Sequence, residues 1–374
     1  MTWLHYALFG LSFAVAFGMS CLVVPRVIRT AFQKRLFDLP SARKVHHGTV
    51  PRLGGFSFIP IILLSVGFSA GLGLRLGPSG FLGPRGVIPD FTLMVCGAIL
   101  LYLVGLSDDL SGVRYRTKFL FQLAAACCFP VGGLWIGNLH GLFGLYDLSA
   151  PAGMVLTIFG TVGVINALNL IDGIDGLCSG LCILAFGVMG AAFLFDGDWM
   201  FAMLAFTSAG VLLPFLYYNV FSRKKIFMGD AGSLTLGYLL SFLALRLASD
   251  APSFLPAGGG GLVLAAACLM LPVCDVVRVM FFRLRRGASP FEPDKSHIHH
   301  LLLRLGLGGR AALACLLLAS ACFVWLALSC LWYTHWSLTV IFFCLLASWA
   351  ALQSLVSFLL WRKERKHVPA PVGN

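Results

Sequence analysis

Four short polar clusters interrupt a chain that is otherwise apolar. The run Asn166-Ala167-Leu168-Asn169-Leu170-Ile171-Asp172-Gly173-Ile174-Asp175-Gly176 places two carboxamides, two carboxylates and two glycines at the end of a hydrophobic stretch. Ser107-Asp108-Asp109 and Met228-Gly229-Asp230-Ala231-Gly232-Ser233 repeat the theme where hydrophobic and basic segments meet, and His297-Ile298-His299-His300 with Arg304 is the fourth cluster. Ionisable groups beside apolar spans are expensive, so their presence implies a task. Polar residues at three-residue steps share a face through one helical turn, and Gly173 and Gly176 let the backbone turn sharply against a ligand. Oxygen donors without thiols suit Mg²⁺, which usually keeps waters and is shared with substrate phosphates. Asp230 at a glycine-rich helix start either caps that helix or presents a metal to a phosphate received there. The vicinal carboxylates Asp108 and Asp109 repel each other, and a cation or Lys118 can relieve them. The histidines and the planar fork of Arg304 suit donation to pyrophosphate oxygens. Each cluster alone also reads as a solvated helix end, a cap or an amphipathic loop; three acidic clusters at one membrane face read as a metal-phosphate site.

The elements that must position these clusters are membrane helices. Of 374 residues 59% are hydrophobic and 11% charged, with a mean hydropathy of +0.91, which excludes an ordinary water-soluble domain. About eleven stretches approach the length of a bilayer-spanning helix: 3–25, 54–74, 89–107, 117–137, 150–169, 177–195, 199–219, 230–248, 261–281, 310–332 and 336–360. Lys and Arg concentrate after spans one, three, seven, nine and eleven, whereas the opposite connections 75–90, 138–149, 196–198 and 249–260 hold only Arg75 and Arg85. The positive-inside rule then puts the amino terminus outside, the carboxy terminus in the cytoplasm and all acidic clusters on the cytoplasmic side. The net charge of +12 sits in short juxtamembrane loops, which favours topogenesis and anionic lipid over nucleic acid. The first stretch lacks a preceding basic region and reads as a retained span. The 12 cysteines lie mostly singly in spans without metal or disulfide spacing. No linker or convincing repeat divides the chain, so 1–374 reads as one membrane-embedded domain, all-α and polytopic. The longest cytoplasmic segments, 26–53 and 282–309, have room for a substrate-shaped surface.

Taken in order, Arg43-Lys44-Val45-His46-His47-Gly48 with Pro51 and Gly54-Gly55, Asp108-Asp109, Asn166 to Gly176, Gly229-Asp230 and His297 to His300 resemble the polyprenyl-phosphate N-acetylhexosamine-1-phosphate transferases, of the glycosyltransferase family 4 type. The likeness covers most of the chain and leans towards the bacterial undecaprenyl-phosphate GlcNAc-1-phosphate branch. It implies transfer of a HexNAc-1-phosphate from a UDP-HexNAc donor to undecaprenyl phosphate, with release of UMP, at the cytoplasmic side of the bacterial inner membrane. It further implies catalytic roles for Asp108, Asp109, Asp172 and Asp175, with the Asp108-Asp109 pair tied to the acceptor phosphate and a proton transfer. Asn169, Asp172 and Asp230 are the implied ligands of Mg²⁺, with Mn²⁺ as a substitute. Lys44, Lys118, Asn166, Asn169, His297, His299, His300 and Arg304 are the substrate-binding candidates. The bilayer is the expected environment, and the sequence leaves room for a homodimer. Ile298 interrupts the three consecutive histidines of the peptidoglycan translocase branch, and the early lysine loop and span count also depart from it, which argues against recognition of a muramoyl-pentapeptide. That translocase, and a polyprenyl-phosphate or nucleotide-sugar transporter, are the competing readings.

Overall fold

A computed structural model describes residues 2–34, 50–77, 88–249, 252–255, 258–287 and 296–366. Among them are twelve α-helices: α1 (Thr2–Lys34), α2 (Phe58–Leu76), α3 (Ile88–Ser111), α4 (Tyr115–Val131), α5 (Ala150–Ile171), α6 (Leu177–Asp196), α7 (Trp199–Val220), α8 (Gly229–Ser249), α9 (Gly260–Arg285), α10 (Ile298–Arg304), α11 (Gly309–Tyr333) and α12 (Leu338–Lys366). Helices satisfy every backbone group internally, as a hydrocarbon environment requires. Ten are individually long and apolar enough to cross a membrane. The all-α polytopic expectation is met.

The eleventh expected span is α4, which has only 17 residues. Its first turn meets the end of α3, with Lys118 Nζ 3.2 Å from Asp108 Oδ2. Just past its other end, a Cβ on Gly132 would lie 3.0 Å from Asp90 Cα at the start of α3. Helix α4 therefore runs antiparallel to α3 between the levels of Asp108 and Asp90, its ~25 Å being only slightly short of a bilayer core. Eleven helices thus traverse the bundle, and α10 is a short piece at one end. Chain contacts assign the ends. His5 of α1 packs on Trp199 at the start of α7 (4.7 Å between ring centroids), and Arg246 Nη1 pairs with Asp90 Oδ2 at 3.2 Å, both away from Asp108. At the opposite end, Arg304 reaches Glu364 near the end of α12. The amino-terminal helix thus starts at the far end, and the last helix finishes at the site end.

Helix boundaries differ from the expected spans where charge follows an apolar run. Helix α1 continues through Arg26 and Arg29 to Lys34, and α12 through Arg362 to Lys366. An α-helix needs no hydrocarbon to persist, so charged turns extend it past the membrane edge. The 138–149 connection holds an antiparallel hairpin of β1 (Asn138–Leu142) and β2 (Leu145–Asp147). It is pinned to α12 by the Phe143 N–H donating to Thr339 Oγ1 (2.7 Å).

Helix α8 is the axis of the bundle, packing against α3, α5, α6 and α9 and burying almost all its side chains. Tyr238 on α8 stacks on Phe129 of α4 at 4.5 Å, and its buried hydroxyl donates to Ala125 O (3.1 Å). An unpaired hydroxyl there would carry a desolvation cost. This packing fixes the height of α8, and hence of Asp230 at its first turn, relative to α3 and α4.

Candidate functional site

The ends of α3 and α5 and the starts of α4 and α8 converge at one end of the bundle. Lys118 on the first turns of α4 bridges two helices, with Nζ 3.2 Å from Asp108 Oδ2 and 2.8 Å from Asp230 Oδ2. Of the acidic pair it meets Asp108, and Asp230 is its second partner. Asp108 also accepts from the Val113 N–H through Oδ1 (2.7 Å). Asp109 faces α8 instead: Oδ1 accepts from the Asp230 N–H (2.8 Å) and Oδ2 from the Ala231 N–H (2.9 Å). A carboxylate on two orphan donors at a helix N-terminus is a cap supplied by a neighbouring helix. Gly229 makes the approach possible. Its φ is +75°, and a Cβ there would lie 2.1 Å from Arg52 O and 2.6 Å from Asp109 Oδ2.

Asn169, on the last turn of α5, donates through Nδ2 to Asp230 Oδ1 (3.2 Å) and Ser233 Oγ (2.9 Å). Asp172 follows α5 directly. Burial, together with the carboxylates of Asp230, Asp175 and Asp109, pushes its carboxyl up to about 7, with Arg52 opposing. Asp175 pairs with Lys225. Gly176 N–H donates to Asn219 Oδ1, and Asn219 Nδ2 donates to Ile226 O (2.8 Å), so a carboxamide on α7 anchors both the acidic loop and the basic segment before α8.

The donor chemistry fits a divalent cation. Asp108, Asp109 and Asp230 can each aim one oxygen at a common point, these atoms lying within 4.8 Å of one another. Five carboxylates, with Asp172 and Asp175 included, face Lys118, Lys225 and Arg52. All donors are hard oxygens. The grouping contains Asp230 of the expected ligand set, and the other two members, Asn169 and Asp172, adjoin it, Asn169 through its hydrogen bond to Asp230 and Asp172 through the charges of Asp230 and Asp109.

The histidine motif packs on the same loop. His299 is buried on α10, and a Cβ at Gly173 would lie 2.1 Å from its Nε2, so only glycine between Asp172 and Asp175 permits this contact. Neither His299 ring nitrogen has a hydrogen-bond partner among the described residues. Burial, with His300 and His297 nearby, lowers its pKa to about 3, against a weaker pull from Asp275. The ring is therefore neutral at ordinary pH. It stacks with His297 (5.7 Å) and meets His300 (4.2 Å).

Two expected residues are held by partners within the protein, and a third is not among the described residues. Asn166 turns to α4, exchanging amide hydrogen bonds with Gln122 at 2.7 and 3.3 Å. Arg304 is half-exposed and gives Nη2 to Glu364 Oε1 at 2.6 Å. Lys44 lies outside the described residues. Asp275 on α9 was missed altogether. It is fully buried and accepts from His297 Nδ1 (2.9 Å) and Arg278 Nη2 (2.9 Å). A carboxylate with a basic residue three positions on, inside a span, was the available signal.

The chain has relatives among proteins of known name. The profile of glycosyl transferase family 4 matches residues 91–248, which contain the acidic clusters but not the histidine motif. A Yersinia pestis protein named undecaprenyl-phosphate alpha-N-acetylglucosaminyl 1-phosphate transferase is 31% identical over 311 residues, covering 82% of this chain and 79% of its own length. The Escherichia coli K12 protein of that name is 31% identical over 291 residues, 76% of this chain and 74% of its own. A Bacillus subtilis protein, named as a probable undecaprenyl-phosphate N-acetylglucosaminyl 1-phosphate transferase, is 31% identical over 303 residues, 79% and 78% of the two lengths.

Proposed function

The chain belongs to glycosyl transferase family 4, and from that premise we propose that it transfers an N-acetylhexosamine 1-phosphate, GlcNAc-1-phosphate in particular, from a UDP-sugar to undecaprenyl phosphate. The products are UMP and a lipid-linked diphospho-sugar that starts a cell-surface glycan. The observation that carries this reading is the carboxylate cluster of Asp108, Asp109 and Asp230 at one end of the bundle, with Lys118 tying Asp108 to Asp230.

An acceptor phosphate oxygen attacks the β-phosphorus of the UDP-sugar, the bond from that phosphorus to the bridging oxygen breaks, and UMP leaves. Both reactants are anionic, so mutual repulsion is a large part of the barrier. A bound Mg²⁺, held by Asp108, Asp109 and Asp230, would neutralise charge on the pyrophosphate and favour in-line geometry. Lys118 offers an ammonium beside the same carboxylates for the acceptor phosphate. A phosphate monoester, with its second pKa of about 6, is mostly ionised at neutral pH, so Asp108 orients the acceptor more than it deprotonates it. Asp109 holds the start of α8 and thereby Asp230. The neutral, buried ring of His299 and the adjoining His297 and His300 line the side of the acidic loop where the donor's pyrophosphate and sugar would lie.

The site end carries Arg114, Arg116, Arg223, Lys224 and Lys225, which supports a cytoplasmic active site by the positive-inside rule. The deciding experiment incubates membranes containing the protein with labelled UDP-GlcNAc and undecaprenyl phosphate. Equimolar UMP and a lipid-extractable labelled product are expected. Uptake of intact nucleotide sugar without UMP would refute transfer, and activity confined to UDP-muramoyl-pentapeptide would assign the chain to the peptidoglycan translocases.

A further inference from the structure

We propose that Asp275 and Arg278 of α9 are positioning residues for the donor side of the site, setting the tautomer of His297 and the register of the histidine motif; this rests on the transferase reading above. Asp275 has no exposed surface. Its Oδ2 accepts from His297 Nδ1 (2.9 Å), and both oxygens receive the Ile298 N–H, at 3.1 and 3.3 Å. Arg278 Nη2 donates to Asp275 Oδ1 (2.9 Å) and to Ser296 O (2.6 Å). The pair thus grips three consecutive residues, Ser296, His297 and Ile298, at the point where the chain enters α10.

A carboxylate can only accept hydrogen bonds, so the proton on the His297 side belongs to Nδ1. Nε2 is then the one ring atom left to meet a substrate. An aspartate that fixes a histidine's tautomer and orientation without itself reacting is a familiar device in catalytic and metal sites. The consequence passes along the motif. His297 stacks on His299 with ring planes 9° apart, and His299 rests on Gly173 between Asp172 and Asp175. A shift of His297 would therefore be felt at the acidic loop.

Helix α12 supports the grip from outside. Gln353 sets its side-chain amide against Arg278 Nη1 (3.2 Å) and Nε (3.1 Å), both donors, so the amide oxygen is assigned to that side. Lys363 Nζ donates to Arg304 O (2.8 Å) beside the Arg304–Glu364 pair. Burying a carboxylate and a guanidinium inside a span is a poor way to gain stability, since apolar side chains of similar volume commonly do as well or better. Their value lies in the geometry they impose on the motif.

The test compares wild type, Asp275→Asn, His297→Gln and the double variant, purified in lipid nanodiscs, by steady-state kinetics with each substrate varied in turn. Asp275→Asn should lower kcat/KM for UDP-GlcNAc by about 10- to 100-fold, the usual effect of removing a partner behind an active histidine. The KM for undecaprenyl phosphate should stay within about twofold, because that substrate meets the Lys118 side. The double variant should be no worse than His297→Gln alone, since the two residues act as one unit. Gln353→Leu, which loosens Arg278 but leaves the carboxylate in place, should show the same donor-selective loss in weaker form and covers the case in which Asp275→Asn does not fold. Wild-type donor kinetics in Asp275→Asn, equal losses for both substrates, or additive losses in the double variant would overturn the proposal. If wild type releases no UMP from UDP-GlcNAc, the transferase reading fails instead. The ¹⁵N spectrum of histidine-labelled protein then decides: a His297 signal protonated at Nδ1 in wild type and altered in Asp275→Asn supports the positioning role, and an unaltered signal refutes it.

Discussion

Asp108 and Asp109 are adjacent in sequence yet should respond differently to the same substitution. Asp109 receives two backbone N–H groups of α8, at 2.8 and 2.9 Å. Asparagine keeps one accepting oxygen and turns an NH₂ group towards the other N–H. One hydrogen bond to a charged acceptor is lost, at ~1.5–3 kcal/mol, and removing a carboxylate from a helix N-terminus adds ~0.3–1 kcal/mol. Asp109→Asn should therefore cost roughly 2–4 kcal/mol in stability. In Asp108→Asn the oxygen facing the Val113 N–H survives, and Lys118 keeps Asp230 as its partner. What goes is one partly exposed ion pair, worth ~0–1 kcal/mol. The assay is thermal unfolding of the detergent-purified variants followed by tryptophan fluorescence, run beside UMP release. Both variants should lose transfer activity, but only Asp109→Asn should melt clearly below wild type. An Asp109→Asn protein as stable as wild type, or an Asp108→Asn protein that melts below it, would refute the division into a capping and a substrate-facing carboxylate.

Exhaustive chelation should abolish transfer and Mg²⁺ or Mn²⁺ should restore it, since the donors are hard oxygens; full activity after chelation removes the metal site. Gly173→Ala places a Cβ 2.1 Å from His299 Nε2 and should sharply reduce UDP-sugar use, whereas Gly160→Ala on α5, with nothing within 4 Å, should be neutral or stabilising by up to ~1 kcal/mol. Comparable kinetics in the two alanine variants would show that the His299 contact is unimportant. His299 refuses in the folded protein a proton that it accepts when unfolded, its pKa falling from 6.5 to about 3. Its contribution to stability is therefore full above about 6.5 and is lost as pH falls towards 3. Melting temperature measured across that window should fall less steeply in His299→Leu than in wild type, and parallel curves would refute the assignment.

Membrane class, the eleven traversing helices and the identity of the acidic clusters are legible in the chain because each depends on local pattern. A run of apolar residues can bury itself only as a helix in lipid, and carboxylates at the end of such a run stand out against it. Even α4, with only 17 residues, falls within the apolar stretch 117–137 that reads as a span. Tertiary structure decided which oxygen faces what. Asp230 meets Lys118 across 112 positions and Asp109 across 121, and no periodicity reports such pairings. The assembly of helices alone commits Asp109 to capping α8, turns Asn166 to Gln122 and ties Arg304 to Glu364. It also places Asp275, inside what reads as a plain span, behind His297. Residue type determined what chemistry each group could perform, and the packing of α8 against α3, α4 and α5 determined which groups share the site.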